Sequence, residues 1–319
     1  MLWSGGRADK GQELADLFER NFPLIVRERS SVLRILGHEG NAVFAERDSK
    51  NCLIGAAVVN RGTILMLCVD QPYRRQGIGS RLLAEAEEAI WKNGFEKINV
   101  GNGFDYLAPG VPTAKRYFPA ENERLYPGLD EAAGDFFTHR GYVHSWDCNC
   151  FDMRFPLSEF RQDGHGIGAE INGLTYRFAS PDDRAAVCAC MDDAFSEFTV
   201  YYRDNALYQE GQGAKVLIAV SGDEVAGALI AGAEDIEKGL GSVGCVAVRK
   251  GWRGRHIAVN LVTIGTKYLK DSGFQEAYLS YTYSGLDHMY GHAGYRICTY
   301  FMMAEKRKQN YHECRMDGI

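Results

Sequence analysis

Apolar and polar positions alternate along the chain in a way that predicts the same order of elements twice. In the first half, residues 13–18 have helical spacing, and residues 41–46 and 53–60 read as strands. The Asn60-Arg61-Gly62 turn leads into a further strand at 64–69. A helix over 80–93 follows, with Leu82, Leu83, Ala86 and Ile90 on one stripe and Gly94 ending it. A strand at 97–100, a helix at 131–140 and a strand at 142–155 complete the set. The second half offers a strand at 174–178 and a helix start at Ser180-Pro181-Asp182-Asp183. Strands follow at 215–220, 224–230 and 242–248, then a helix at 255–269. A strand at 276–281, a helix at 285–293 and a strand at 297–305 close the series. The pattern predicts an α/β (α+β) fold with a mixed sheet and helices on its faces.

The repetition extends to individual residues. Val69 to Leu82 recurs as Val248 to Leu261, so that Arg74, Gly77 and Gly79 correspond to Arg253, His256 and Ala258, a shift of 179 (253 − 74). Gly94-Phe95 and Gly273-Phe274 hold the same register. Phe137, Gly141 and Tyr142 correspond to Tyr290, Gly294 and Tyr295 at a shift of 153 (290 − 137). Two copies of one domain, with 26 extra residues (179 − 153) in the first, account for both shifts. The expected domains are 1–160, with an aromatic insertion over 103–129, and 170–319, joined by a glycine-rich linker at 162–168.

Composition narrows the function. The chain has 319 residues, enough for two domains of about 150 residues that each bury a core. A net charge of −6 offers no basic face for nucleic acid. The longest apolar runs, such as 216–220, are strand-sized, and the first residues lack the apolar stretch of a signal peptide. Nine cysteines without a C-x-x-C pair fit free thiols in a reducing compartment. The expectation is a cytoplasmic protein with no membrane or nucleic-acid partner.

The repeated element is a glycine-containing turn between an apolar strand and a helix. Such a turn aims backbone N–H groups and the positive end of a helix at an anion, and glycine lets a diphosphate approach. A dinucleotide-binding turn would need G-x-G-x-x-G in a parallel βαβ unit. The preceding strands here read as antiparallel, which argues against it. A tight turn with no ligand is the plainer alternative.

In that context the residues resemble the GNAT acyltransferase superfamily, as two domains in tandem. The signature Arg/Gln-x-x-Gly-x-Gly/Ala is complete at Arg74, Gly77 and Gly79 and altered at Arg253, His256 and Ala258. The downstream Tyr-x-x-x-Gly-Phe/Tyr element is complete at Tyr290, Gly294 and Tyr295, whereas the first copy has Phe137. The resemblance implies acetyl-CoA as cosubstrate. Its expected contacts are Val69, Arg74, Arg75, Gln76, Gly77, Ile78, Gly79 and Ser80 in the first copy. In the second they are Val246, Val248, Arg253, Gly254, Arg255, His256, Ile257 and Ala258.

Acetyl transfer to an amine needs a proton acceptor, oxyanion donors and an acid for the leaving thiol. The resemblance makes Tyr290 the acid and 246–248 the oxyanion strand, which selects the second copy as catalytic. Asp287 lies three residues before Tyr290 on one helix face and could bind the amine or serve as base, or simply favour the helix N-terminus. His256 would crowd a diphosphate unless the backbone there stays helical. His288 and His292 are spaced i,i+4, but no third metal ligand is evident, and no metal is expected.

The insertion is rich in Tyr, Phe and Pro, and either covers the domains or walls the acceptor site. Tyr106, Tyr117 and Tyr283 join Asp287 as candidate acceptor contacts. Its Pro-Gly-Val-Pro character resembles tandem GNAT proteins that acetylate glucosamine and glucosaminides. The expected reaction is acetylation of a primary amine on a small molecule, an aminosugar such as glucosamine, by direct attack. Another amine (an antibiotic or a polyamine) and a non-catalytic acyl-CoA-binding regulatory protein are the alternatives.

Overall fold

The computed structural model of the chain describes residues 7–101, 106–118, 132–161, 165–209 and 213–308. The elements are, in chain order, α1 (Arg7–Asn21), α2 (Arg29–Leu36), β1 (Ala42–Arg47), β2 (Leu53–Asn60), β3 (Thr63–Val69), α3 (Ile78–Lys92), β4 (Lys97–Val100), β5 (Val111–Thr113), α4 (Ala132–Thr138) and β6 (Val143–His144). There follow β7 (Cys150–Pro156), β8 (Ala169–Ile171), β9 (Leu174–Phe178), α5 (Arg184–Ala194), β10 (Lys215–Ser221), β11 (Glu224–Asp235) and β12 (Leu240–Val248). The last are α6 (Ile257–Asp271), β13 (Glu276–Tyr283), α7 (Asp287–Ala293), β14 (Arg296–Met302) and β15 (Ala304–Arg307). The fold is α/β, with both sheets mixed.

Two compact units emerge, and they do not follow chain order. The first takes the residues up to 118, those up to 150 after the insertion, and those from 300 on; the second holds 151–299. The division expected from the repeat, 1–160 and 170–319, is drawn differently because the units exchange a strand. The strand expected over 142–155 is two strands. The short β6 stays in the first sheet, of order β1-β2-β3-β4-β15-β6, while β7 lies between β14 and β13 in the second. The strand expected over 297–305 likewise breaks at Met303. β14 belongs to the second sheet, and β15 pairs antiparallel with β4, Glu305 against Asn99, in the first.

The break in the first unit has a specific fastening. Ser145 N–H donates to Met303 O at 2.9 Å, and Met303 N–H donates to His144 Nδ1 at 3.0 Å. With Nδ1 accepting, the ring proton sits on Nε2, which reaches Cys148 O at 3.0 Å. Burial keeps the His144 pKa below its ordinary value, in keeping with a neutral ring.

In the first unit β2 is buried at every position, as a central strand covered on both faces must be. Ile78, Leu82, Leu83, Ala86 and Ile90 of α3 form its apolar stripe in that core. In the second unit β10, β11 and α5 share a core of Val187, Met191, Val216, Ile218 and Ala228. Ser180 and Asp183 form a capping box ahead of α5, and Arg177 holds the Asp183 carboxylate at 2.7 Å. Helix α2 has no counterpart in the sequence expectation.

Two outcomes follow. A fragment of residues 1–160 lacks β15, so its circular dichroism melt should show no cooperative transition, whereas the full chain should melt cooperatively. A folded, cooperatively melting fragment would contradict the exchange. For His144, the lowered pKa means that the unfolded chain takes up the proton first. Stability from this group is therefore present above about pH 6.5 and lost as pH falls below it. Denaturant titrations should show that loss, and His144→Asn should reduce it.

Candidate active site

In the second unit two parallel strands begin together and then part. β12 and β13 pair at Leu240–Glu276, Gly241–Ala277 and Ser242–Tyr278, and the parallel register ends there. Three residues on, each strand carries a non-glycine residue with left-handed backbone, Cys245 at φ 50° and Tyr281 at φ 56°. On β12 the irregularity is a bulge. The register with β11 passes from Ile230–Gly244 to Ala228–Ala247, with one extra residue on β12.

Conformations of this kind persist only where the surroundings impose them. The Tyr202 hydroxyl, fully buried, donates to Cys245 O at 2.7 Å, and Tyr208 in turn donates to Tyr202 O at 2.8 Å. Across the gap Asp152, buried on β7, accepts from Tyr281 N–H at 2.8 Å and from the Tyr278 hydroxyl. Each departure from the sheet is thus held by a buried side chain. Burial pushes the Cys245 thiol up to about 11, so it is no thiolate nucleophile near neutral pH.

At the end of β12 the chain enters the turn before α6. Arg253 and Gly254 are extended and left-handed (φ −64° and 77°), and His256, the residue before α6, is left-handed again (φ 57°, ψ 18°). In the first unit Arg74, Arg75 and Gly77 repeat the alternation at φ −71°, 64° and 81°. The two left-handed positions are equivalent at a shift of 179 (254 − 75, 256 − 77), although their residues differ. His256 therefore adopts the conformation that glycine has in the first copy, not a right-handed helical one. Ile257 and Ala258, like Ile78, Gly79 and Ser80, lie in the first helical turn, whose N–H groups have no intrahelical acceptors.

The two signature arginines hold the turns together. Arg74 Nε donates to Val69 O at 2.8 Å and its Nη2 to Asn21 at 2.9 Å. Arg253 Nε donates to Val248 O at 3.3 Å and its Nη2 to Ala194 O at 3.0 Å. Gln76 is bonded to Pro72 O, and Arg255 lies over the Trp252 ring at 4.8 Å. Backbone N–H groups, rather than the Arg74 and Arg253 side chains, are what these turns present.

Tyr290 and Asp287 both lie on α7, and both are buried. Burial, with Tyr295, Cys245 and Tyr283 nearby, raises the Tyr290 phenol well above its ordinary pKa. It stays protonated and can act as an acid but not as a base. Asp287 has no exposed surface, and its carboxylate accepts from Gly285 N–H at 3.1 Å. The carboxylate thereby bonds the turn that leads into α7. Tyr283, at the end of β13, is 40% exposed.

Family models match both copies. An acetyltransferase (GNAT) domain covers residues 39–144, and the acetyltransferase (GNAT) family covers 183–295. The chain belongs to the GNAT acetyltransferases, with two domains in tandem. Three solved structures share this fold at low identity. One is the GCN5-related glucosamine N-acetyltransferase region of a fungal multi-domain GH3 β-N-acetylglucosaminidase (17% identity, TM-score 0.67). The match covers 96% of this chain, which spans only 38% of that one. A tandem GNAT protein from the clavulanic acid biosynthesis pathway matches at 16% identity and TM-score 0.65, over 97% of this chain and 98% of that one. A GCN5-related N-acetyltransferase from Sphaerobacter thermophilus matches at 18% and 0.63, over 96% and 95%. No curated protein matches the chain.

The first GNAT domain differs from the second at the corresponding places. Its bulge lies at Leu65, and the chain turns at Gly101 (φ 73°) just after β4. Ala108 and Gly110 return so closely that a β-carbon at Gly101 would meet them at 2.7 and 2.8 Å. Phe137, equivalent to Tyr290, is buried edge-on against Tyr142, and Phe136 lies over Gly79. Of the insertion, residues 106–118 are described, and 103–105 and 119–129 lie outside the described residues. Tyr117 does not stand open, because one face is stacked on His144 at 4.3 Å. Tyr106 lies under the Arg27 guanidinium at 5.0 Å. Both aromatics are engaged within the first unit.

Sequence reasoning missed Tyr202, Cys245, Tyr281 and Asp152. Gly244, beside the register shift at Cys245, is the signal that could have announced it, and Asp152 reads as one of two polar residues, with Arg154, in its strand. Among the described residues no three His, Cys, Asp or Glu side chains form a metal-holding group, and no helix is long and apolar enough to cross a membrane. Tyr202→Phe should leave the part-buried Cys245 carbonyl without its donor and cost about 1 kcal/mol. Chemical denaturation would measure this, and an unchanged midpoint would refute the role of Tyr202 in holding the bulge.

Proposed function

We propose that the second unit transfers the acetyl group of acetyl-CoA directly to the primary amine of a small molecule, with Tyr290 as general acid. The observation that carries this reading is the buried, protonated phenol of Tyr290 near the bulge at Cys245. Where β12 and β13 part, their facing edges can pair with an extended amide chain such as the pantetheine arm. Val246 and Val248 supply backbone groups beside the bulge, and the Gly254–Ala258 turn takes the diphosphate on its N–H groups. The neutral amine attacks the thioester carbonyl, the C–S bond breaks as the tetrahedral oxyanion collapses, Tyr290 protonates the departing thiolate, and the proton lost by the nitrogen passes through solvent and restores the phenol. The raised thiol pKa of Cys245 argues against an acyl-cysteine intermediate and in favour of direct attack.

The first unit repeats the turn but carries Phe137, which has no proton to give. Its Arg75–Ser80 turn is read as a second acyl-CoA seat without chemistry. For the acceptor we favour an aminosugar. Support comes from the insertion's resemblance and from the glucosamine N-acetyltransferase region that shares the fold. The partly exposed Tyr283 can border the acceptor; Tyr106 and Tyr117 are left out because their faces are occupied.

Acetyl-CoA turnover against a panel of amines that includes glucosamine tests this directly. Tyr290→Phe should lower kcat by about 10²-fold or more, the usual scale for a lost acid. Gly254→Asp places a carboxylate against the diphosphate in a backbone conformation that Asp tolerates, with no atom within 4 Å of the new β-carbon. It should depress kcat/KM for acetyl-CoA far more than Gly77→Asp does. The reverse ranking would move catalysis to the first unit. Tight acetyl-CoA binding without turnover of any amine would leave the regulatory alternative.

A further inference from the structure

The exchanged strand brings a buried acid to the place where β12 and β13 part. Asp152 on β7 is only 2% exposed, and β7 is the neighbour of β13 in the second sheet. One of its carboxylate oxygens accepts from the Tyr281 N–H at 2.8 Å and the other from the Tyr278 hydroxyl. Both donors lie on β13, whose parallel pairing with β12 ends at Tyr278 and whose left-handed residue is Tyr281. Asp152 thus spans the stretch over which β13 leaves its neighbour.

The repeat supplies a comparison. At the shift of 153, Asp152 corresponds to Glu305 (152 + 153) on β15, which borders β4 in the first sheet as β7 borders β13 in the second. Glu305 stands opposite Asn99, the residue equivalent to Tyr278 (99 + 179). Its carboxylate meets Lys97 Nζ at 3.1 Å and Arg307 Nε at 3.0 Å. An acid therefore occupies the same strand position in both units. In the first it is bonded to exposed cations, and in the second to the backbone of the parting strand. The difference falls in the unit that carries Tyr290.

A left-handed residue within a strand re-aims the N–H and C=O groups that follow it, and it persists only where its surroundings impose it. With the Tyr281 N–H tied to Asp152, the groups of β13 beyond it are fixed for whatever pairs across the gap. We infer that Asp152 is a positioning residue for the donor site, setting the edge of β13 that receives the pantetheine arm of the coenzyme. It acts through Tyr281 and not by contact with the coenzyme. The inference rests on the donor site proposed above. It makes a side chain from the first copy's sequence a condition for tight binding in the second unit.

The test uses the full chain carrying Gly77→Asp, so that the second unit's turn is read alone. Asp152→Leu combined with Tyr278→Phe replaces both side chains by apolar ones of similar size and removes the acceptor for Tyr281. Calorimetry should then show acetyl-CoA bound about tenfold or more weakly than by the parent, the scale of one lost hydrogen bond to a buried charge. Adenosine 3′-phosphate 5′-diphosphate, which is the coenzyme without its arm, should bind parent and variant alike. Tyr278→Phe alone and Asp152→Asn each keep an acceptor for the Tyr281 N–H, and both should leave acetyl-CoA affinity unchanged. A double variant that melts lower yet binds acetyl-CoA as the parent does would make Asp152 a structural residue only. That result would overturn the inference and leave the donor site intact. Equal losses for acetyl-CoA and the nucleotide would overturn it as well, since the arm would not be what Asp152 serves. Asp152→Ala, with Tyr278 left in place, is read by the same outcomes if the double variant does not fold. Failure of the parent to bind acetyl-CoA would remove the donor site and this inference together.

Discussion

The hydrogen bond from Tyr202 to the carbonyl of Cys245 ties the local strain of the second unit to its overall geometry. A non-glycine residue with left-handed backbone in mid-strand is unfavourable, and a buried carbonyl turned out of the ladder would add a desolvation penalty. Tyr202 answers the second cost, and Tyr208 holds Tyr202 in place. Asp152 does the same for Tyr281 on the facing strand. With both departures supported, β12 and β13 keep three paired positions and then separate. The strands separate on the side that leads to the Arg253–His256 turn. The gap is thus a property of three buried side chains, Tyr202, Tyr208 and Asp152, far in sequence from the strand residues they hold.

That dispersal explains what the sequence could and could not convey. The repeat, the mixed sheet and the strand–turn–helix elements were legible because each is local: periodicity of two, periodicity of 3.6, and a turn spelled by Arg and Gly. The ends of α3 and α6 fell within two or three residues of expectation for the same reason. The strand exchange was not legible. A strand pattern through 142–155 looks the same whether it stays in one sheet or crosses to another, because partner choice depends on residues far along the chain. His144 and Met303 fasten the exchange, yet they lie 159 positions apart. At the site, Tyr290 could be picked out by its motif, whereas its burial and that of Asp287 could not.

The exchange also changes what a domain means here. The repeat unit in sequence and the compact unit in space are offset by one strand, so each unit contains chain from both copies. In the first unit the borrowed strand is bound by backbone pairing to β4 and by the Lys97–Glu305 and Lys306–Glu87 ion pairs. Both pairs are partly buried, and they join the ladder and the buried Ala304 in holding the strand. Each unit therefore contains a segment that the other copy's sequence supplies.

Within that scaffold the turn ahead of α3 and α6 repeats as a shape and not as a set of residues. The same left-handed positions are filled by Arg75 and Gly77 in one unit and by Gly254 and His256 in the other. A left-handed histidine costs more than a glycine, since its β-carbon crowds the backbone. What the ring gains is access to a cavity that already contains two further histidines. In the first unit the equivalent face of the helix is packed instead. Phe136 rests on Gly79, and Arg140 bonds Ser80 and lies over the Phe136 ring at 3.8 Å. One copy has glycine at the second left-handed position and packs its neighbouring helix on Gly79 and Ser80. The other has His256 there, beside a cavity along α6, although the two turns are equally exposed.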